Sequence, residues 1–177
     1  KIDWGFDEDY TFSIPIETVK AGPTLRNKVR NNSSIIRYVK YNGIRILFAG
    51  DLETAGWEWL AKNNEFFKSL MKGGLDVLVA PHHGHDSGFP KALLDLTGNV
   101  KAIVLSKDSE ATKEGTDVYT GYSNYADGVR YYNTNDKNMY FGKVLTTRSN
   151  GNVYLFVDPQ YGFYVATETA SPNHKKI

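Results

Sequence analysis

Apolar residues crowd the middle of this chain in short bursts separated by glycines, and the spacing of those bursts predicts its elements. Residues 35–41 and 44–49 are β-rich runs, and Asn42-Gly43 between them suits a type I′ turn with positive φ at both centres. A hairpin is expected there, its second strand becoming a continuous apolar run that stops at Gly50-Asp51. Residues 53–64 are good helix formers with Trp57, Leu60 and Ala61 on one face. A second helix over 65–72 is expected to stop at Gly73-Gly74, where glycine supplies a left-handed cap. Residues 75–80 read as a buried strand ended by Pro81, 82–88 as a His-rich loop, 89–96 as a helix and 100–106 as another buried strand.

The flanks are less regular. Residues 1–30 carry weak periodicity, punctuated by Pro15 and Gly22-Pro23, and read as a loop-rich segment of the same domain. Residues 107–117 are polar and read as loop, with a Tyr-rich helix near 118–126. The tail is expected to be antiparallel strands over 129–132, 143–147, 153–157 and 163–167, with Asn150-Gly151 as a second hairpin turn. A hairpin, then strand–helix–strand units, then a meander predicts an α/β fold: a mixed β-sheet with packed helices. Its body spans 31–168, followed by a polar tail over 169–177.

The 177 residues suit one domain with a sizeable core, and 41% hydrophobic residues argue against a disordered chain. Lys plus Arg total 21 against 20 acids, so net charge gives no argument for a dedicated nucleic-acid or membrane-surface binder. With no Cys there is no disulfide framework, no thiolate metal site and no cysteine nucleophile. No window reaches the roughly 18 consecutive apolar residues of a membrane span. Acids stand where a signal peptide would carry its apolar core, so the chain reads as soluble, with the cytoplasm the favoured compartment. It opens without Met, as a fragment or a processed product does.

Three of the four histidines fall in one heptapeptide, Pro81-His82-His83-Gly84-His85-Asp86-Ser87, directly after a buried strand. Loops beyond the carboxyl ends of strands are where α/β folds place their sites. Imidazole there suits zinc, manganese or iron, or serves as acid, base or phosphate contact. The bland alternative is a surface loop whose histidines bond locally. Asp51, at the end of an apolar strand beside Gly50, is either a metal ligand or a cap for the helix that follows. One helical crossover separates the two strands, so their carboxyl ends should share an edge and Asp51 should meet the 82–83 pair. Ser87 and Ser106 lack a recognisable nucleophile elbow or paired base and are set aside. The Tyr residues read as core and rim, and His174 as a residue of the polar tail without a specific task.

Taken together, Asn32-Ser33-Ser34-Ile35-Ile36-Arg37, Leu47-Phe48-Ala49-Gly50-Asp51-Leu52-Glu53 and Asp76-Val77-Leu78-Val79-Ala80-Pro81-His82-His83-Gly84 resemble the metallo-β-lactamase superfamily, in its competence-protein and phosphoesterase branch. The likeness covers about residues 31–157. It implies an αββα sandwich with two metal ions, usually zinc, and hydrolysis of a phosphoester or phosphodiester by a metal-bound hydroxide. Asp51 would match the carboxylate that bridges both ions, His83 a ligand of the second ion, and His82 a contact to the substrate phosphate; the two histidine roles are interchangeable at this stage. A phosphate-containing small molecule or a nucleic acid would be the substrate.

The departures are equally informative. The superfamily's His-x-His-x-Asp-His motif is absent, and the residues before the hairpin contain no His. The small residue after the family's glycine is replaced by His85, read as an exposed loop residue. The chain therefore looks like the second half of such a domain. It would expose an apolar sheet face and would be completed by its missing N-terminal half or another chain. The alternative is a non-catalytic scaffold or subunit without a working metal centre.

Overall fold

A computed structural model of the protein describes residues 5–107, 119–172 and 174–177. Among them lie two mixed sheets and a layer of helices. The first sheet holds six strands in the order β1 (Glu8–Phe12), β2 (Ile36–Tyr41), β3 (Ile44–Phe48), β4 (Val77–Val79), β5 (Ala102–Leu105) and β8 (Val144–Thr146). The second holds five, ordered β11 (Lys175–Lys176), β7 (Met139–Gly142), β6 (Val129–Asn133), β10 (Gly162–Thr167) and β9 (Val153–Asp158). The helices are α1 (Ile16–Ala21), α2 (Val29–Asn32), α3 (Thr54–Asn63), α4 (Glu65–Lys72), α5 (Lys91–Thr97), α6 (Tyr119–Ser123) and α7 (Thr147–Asn150).

The hairpin forms as expected: β2 and β3 pair antiparallel, and Asn42 and Gly43 both take positive φ, at 47° and 78°. β3, β4, β5 and β8 then run parallel to one another, as crossover helices require. Period-two alternation assigns each residue of this sheet to a face. Ile36, Tyr38, Leu47, Leu78, Ile103, Leu105 and Val144 meet Trp57, Leu60, Phe67 and Met71 of the helix layer. Val39, Ile44, Ile46, Val77 and Ala102 on the opposite face meet Val129, Leu155, Val157 and Phe163 of the second sheet. Both faces are covered, which is why the strands read as unbroken apolar runs. The first sheet therefore leaves no bare apolar face among the described residues, because residues after 128 close over it. An exposed aromatic face lies instead on the outer side of the second sheet, at Tyr132, Phe141, Tyr154, Phe156 and Tyr164.

Local signals act as anticipated at α4. Asn64 caps its start by accepting the Phe67 N–H at 2.9 Å, and Gly74, at φ +86°, ends it.

Five expectations need correction. The tail is not antiparallel throughout: β10 pairs parallel with β6, Val165 facing Tyr131, while it pairs antiparallel with β9. Residues 8–12 are a strand, not loop, bound to β2 by the opposed pairs Glu8–Lys40, Tyr10–Tyr38 and Phe12–Ile36. Residues 144–146 leave the tail's meander and join the first sheet, parallel to β5, because their side chains are apolar on both faces. Asn150-Gly151 is then no hairpin turn but the end of α7, since the strands on either side belong to different sheets. The turn that joins β9 to β10 is built by Asp158, whose carboxylate accepts the N–H groups of Gln160 and Tyr161 at 2.8 and 2.9 Å. Lastly, His174 has a task. Its Nε2 lies 3.0 Å from the Val144 carbonyl of the first sheet and its Nδ1 2.7 Å from the Tyr131 hydroxyl of the second. A carbonyl only accepts, so Nε2 carries the proton and Nδ1 receives the hydroxyl's. The expected polar loop over 107–117 and the start of the Tyr-rich helix at Val118 lie, but for Lys107, outside the described residues.

One buried carboxylate fixes the amino ends of the parallel strands. Asp76 accepts the Arg45 backbone N–H at 3.0 Å and its guanidinium at 3.1 Å, and pairs with Lys101 at 2.9 Å. Burial alone would raise the Asp76 pKa, but these bonds outweigh it and hold the carboxyl below its ordinary value. A group depressed in this way stabilises the fold above the unfolded value, and that contribution is lost as pH falls through the folded value. Burial likewise lowers the His174 pKa against the opposing pull of the Val144 carbonyl. Its stabilising effect is complete above about pH 6.5 and declines as the pH falls towards the folded value. Urea midpoints measured against pH should thus fall in two stages, below about pH 6.5 and again below about pH 4. Asp76→Asn should cost about 2–3 kcal/mol at neutral pH and flatten the acid stage, and His174→Phe should flatten the first.

Candidate active site

The parallel pairing of β3 and β4 carries both chains of sequence to the same edge. Ile46 faces Val77, Leu47 faces Leu78 and Phe48 faces Val79, so both strands finish together. Past those ends the Asp51 carboxylate and the His83 ring meet, with Oδ1 3.7 Å from Nε2. The convergence expected from the crossover is found. The helix-cap alternative for Asp51 is not: α3 starts at Thr54 with Glu53 in the cap position, and no side chain caps it. Asp51 instead presents its backbone N–H to Ser34 Oγ at 3.2 Å, which ties the end of β3 to the segment before β2. Gly50, at φ +57°, permits this approach, since a Cβ there would sit 3.1 Å from the Ile35 carbonyl oxygen.

The His loop has an unusual backbone. His82, His83 and Gly84 take φ of 46°, 55° and 79° in succession, a left-handed run that costs L-residues with side chains about 1–2 kcal/mol each. Tertiary bonds hold it. The His82 N–H donates to the Gly50 carbonyl at 2.9 Å, joining the two strand ends directly. His83 Nδ1 lies 2.9 Å from the Ser106 carbonyl beyond β5. That carbonyl only accepts, so Nδ1 carries a proton, and Nε2 is the nitrogen that faces Asp51. An imidazole held through Nδ1 in this way offers Nε2 to a metal ion when it is neutral.

His82 and His85 form a second group. Ser87 Oγ lies 3.2 Å from His82 Nδ1 and 3.1 Å from His85 Nδ1, and the two rings are 5.1 Å apart. Glu53, buried, stands 3.7 Å from His82 Nδ1 and accepts a bond from Asn31 Nδ2 at 2.8 Å. His85 is thus half-buried and bonded to Ser87 and Asp86 rather than an exposed loop residue. Sequence reasoning gave no role to Glu53, Asn31 or Ser34. Ser34 and Glu53 lie within the motifs already singled out and Asn31 adjoins one of them, which is the signal that could have found them. That reasoning also set Ser87 aside for want of a base, and the structure supplies two imidazoles. The hydroxyl joins the two rings.

The donors were tested against a metal ion. Two ligands of a tetrahedral ion at zinc distances stand about 3.3 Å apart, so the 3.7 Å between Asp51 and His83 suits two positions on one ion. Among the described residues no group of three or more His, Cys, Asp or Glu side chains is close enough to hold an ion by itself. The residues therefore fit part of a metal's shell.

Gly84 is the test of the loop. A Cβ there would lie 2.4 Å from Leu105 Cδ2, whereas Gly43, at a similar φ of +78° in the hairpin turn, has nothing within 4 Å. Gly43→Ala should cost about 1 kcal/mol of backbone strain, and Gly84→Ala about 3 kcal/mol or more, as read from urea denaturation. Neither a family model nor a curated protein matches the chain, so the functional reading stands on these residues and their geometry.

Proposed function

We propose that the chain carries the Asp51 and His83 portion of a metal-dependent hydrolase site of the metallo-β-lactamase kind, acting on a phosphoester or phosphodiester. The observation that supports it is the His83 Nε2 facing the Asp51 carboxylate at the ends of adjacent parallel strands, with Nδ1 engaged by the Ser106 carbonyl. A divalent ion bound there, zinc by resemblance and manganese or iron by donor chemistry, supplies Lewis acidity and a water of lowered pKa. Asp51 brings negative charge at the open edge, and the Ser106 carbonyl holds the His83 ring through Nδ1. His82 has Nδ1 directed to Ser87 and Glu53, which leaves Nε2 for a phosphoryl oxygen. Two protein ligands leave the shell to be completed by water, by substrate, and by a further segment or chain that brings the ligands of the absent histidine motif.

A non-catalytic subunit is the second reading, favoured by the lack of a three-ligand group among the described residues. Metal content and turnover separate the two. Zinc binding, followed by chelator competition, should weaken at least about tenfold in Asp51→Ala and His83→Ala and remain within about twofold in His85→Ala. Equal metal content in Asp51→Ala and the parent protein would remove Asp51 from the site. Metal binding without cleavage of bis(p-nitrophenyl) phosphate, in the presence of any completing chain, would favour the subunit.

A further inference from the structure

The two sheets end in four edge strands, and three of them are guarded. β1 presents Glu8 and Asp9, β11 is only Lys175 and Lys176, and β8 is three residues long and runs straight into α7. Charge and shortness are the devices that keep an edge from pairing with another chain. β9 has neither. It pairs with β10 alone, and its residues, Val153-Tyr154-Leu155-Phe156-Val157-Asp158, hold no Lys, Arg, Pro or Gly and reach a charge only at the last position. From Val153 to Val157, the backbone groups directed away from β10 have no hydrogen-bond partner among the described residues.

The side chains at this edge are open on both faces. Tyr154 and Phe156 are exposed on the outer face. Leu155, which turns towards the first sheet, is only partly buried, whereas its register partner Val165, one strand further in, is buried.

The strand is also complementary to itself. Directly opposed residues of an antiparallel pair share a face, so two copies of β9 meet about a two-fold axis that passes through one residue. With the axis at Leu155, Val153 faces Val157, Tyr154 faces Phe156 and Leu155 faces Leu155 of the second copy, and every such pair is apolar. Asp158 then falls opposite Asn152, outside the apolar run. Moving the axis to either same-strand neighbour sets an aromatic ring against a polar side chain, Tyr154 against Asp158 or Phe156 against Asn152. Tyr154, Phe156 and Tyr164 already stack in sequence, with centroids 6.4 and 5.0 Å apart, and the Leu155 register continues that stack across the axis.

We propose that β9 is a homodimerisation edge, through which two copies of the chain pair antiparallel about Leu155 and join their second sheets into one. The opposite edge of this sheet carries the lysines of β11, so the assembly closes at two copies rather than extending.

The test uses the full chain, which has no Cys of its own to confuse cross-linking. In sedimentation equilibrium the weight-average mass of the parent protein should rise with concentration to twice that of one chain and level there. Phe156→Lys, which puts a guarding charge on the edge, should raise the dimer dissociation constant at least about tenfold. Tyr132→Lys lies on the same exposed face but on β6, away from the edge, and should stay within about twofold. An equimolar mixture of Tyr154→Cys and Phe156→Cys proteins should form disulfide-linked dimers on mild oxidation at least about tenfold faster than either protein alone. Across the Leu155 axis, positions 154 and 156 oppose each other, whereas each lies about 8 Å from its own counterpart, beyond the reach of a disulfide. Both cysteines replace exposed side chains, so this arm remains readable if Phe156→Lys misfolds. A monomer at every concentration, a mass that climbs past two chains, equal weakening by Tyr132→Lys, or faster linkage in Phe156→Cys alone would overturn the proposal. None of these readouts involves Asp51 or His83, so the result stands apart from the hydrolase reading.

Discussion

The register of β4 against β3 is the constraint on which the molecule depends. A slip of β4 by one residue would turn Leu78 away from the helices and Val77 into them. Both faces of the sheet are apolar, so the hydrophobic pattern alone would penalise such a slip less than in a one-faced sheet. The additional specificity comes from Asp76. Its carboxylate binds the β3 backbone at Arg45 and the Lys101 ammonium, while its own backbone carbonyl accepts from Lys101 and Ala102. The amino ends of three strands are pinned by one residue, and their carboxyl ends fall into line as a consequence. Asp51 and His83 owe their common edge to an ion pair at the other end of the sheet.

How far this was legible in the sequence depends on how local each cause is. The Asn42-Gly43 turn, the helix stop at Gly73-Gly74 and the two central strands were readable because their signals lie within a few residues. So was the meeting of Asp51 with His83, because a parallel crossover leaves few alternatives. β1 was not: its alternation is blurred by Glu8 and Asp9, whose pairing with Lys40 and Arg37 exists only once β2 lies alongside. Asn150-Gly151 misled for the opposite reason. The dipeptide carries a real turn preference, but whether a turn joins neighbouring strands is settled by which sheet each strand enters. The positive φ of His82 and His83 had no local signature either, since neither residue favours that region.

The second sheet shows the same dependence on distant contacts. Val129, Leu155 and Phe163 face the first sheet, and the alternate residues Tyr132, Phe141, Tyr154, Phe156 and Tyr164 are exposed. Phe156 and Tyr164 are register partners and stack at 5.0 Å with planes 12° apart. Rings stacked across a strand pair shield each other's faces and reinforce the β9–β10 hairpin, which explains part of the Tyr-rich composition without a ligand. His174 joins this sheet to the first through one proton on Nε2, so the interface between the sheets is polar at its margin and apolar within.

Strain gives the remaining argument about the site. Two left-handed histidines cost about 2–4 kcal/mol together, and the bonds that hold them, from the His82 N–H to Gly50 and from His83 Nδ1 to Ser106, return about 1 kcal/mol each. These tertiary bonds therefore offset about half or more of the cost, and Gly84 meets the third left-handed position without a side chain where a Cβ would strike Leu105. A loop serving only to connect β4 to α5 would have no need of such a conformation, because an ordinary turn with glycine at the left-handed positions would join them at lower cost. What the strained path achieves is placement: it turns His83 back towards Asp51 and His82 towards Glu53, in opposite directions from adjacent residues. Backbone strain that orients two imidazoles towards two separate carboxylates is the strongest physical argument for placing the proposed site at this edge.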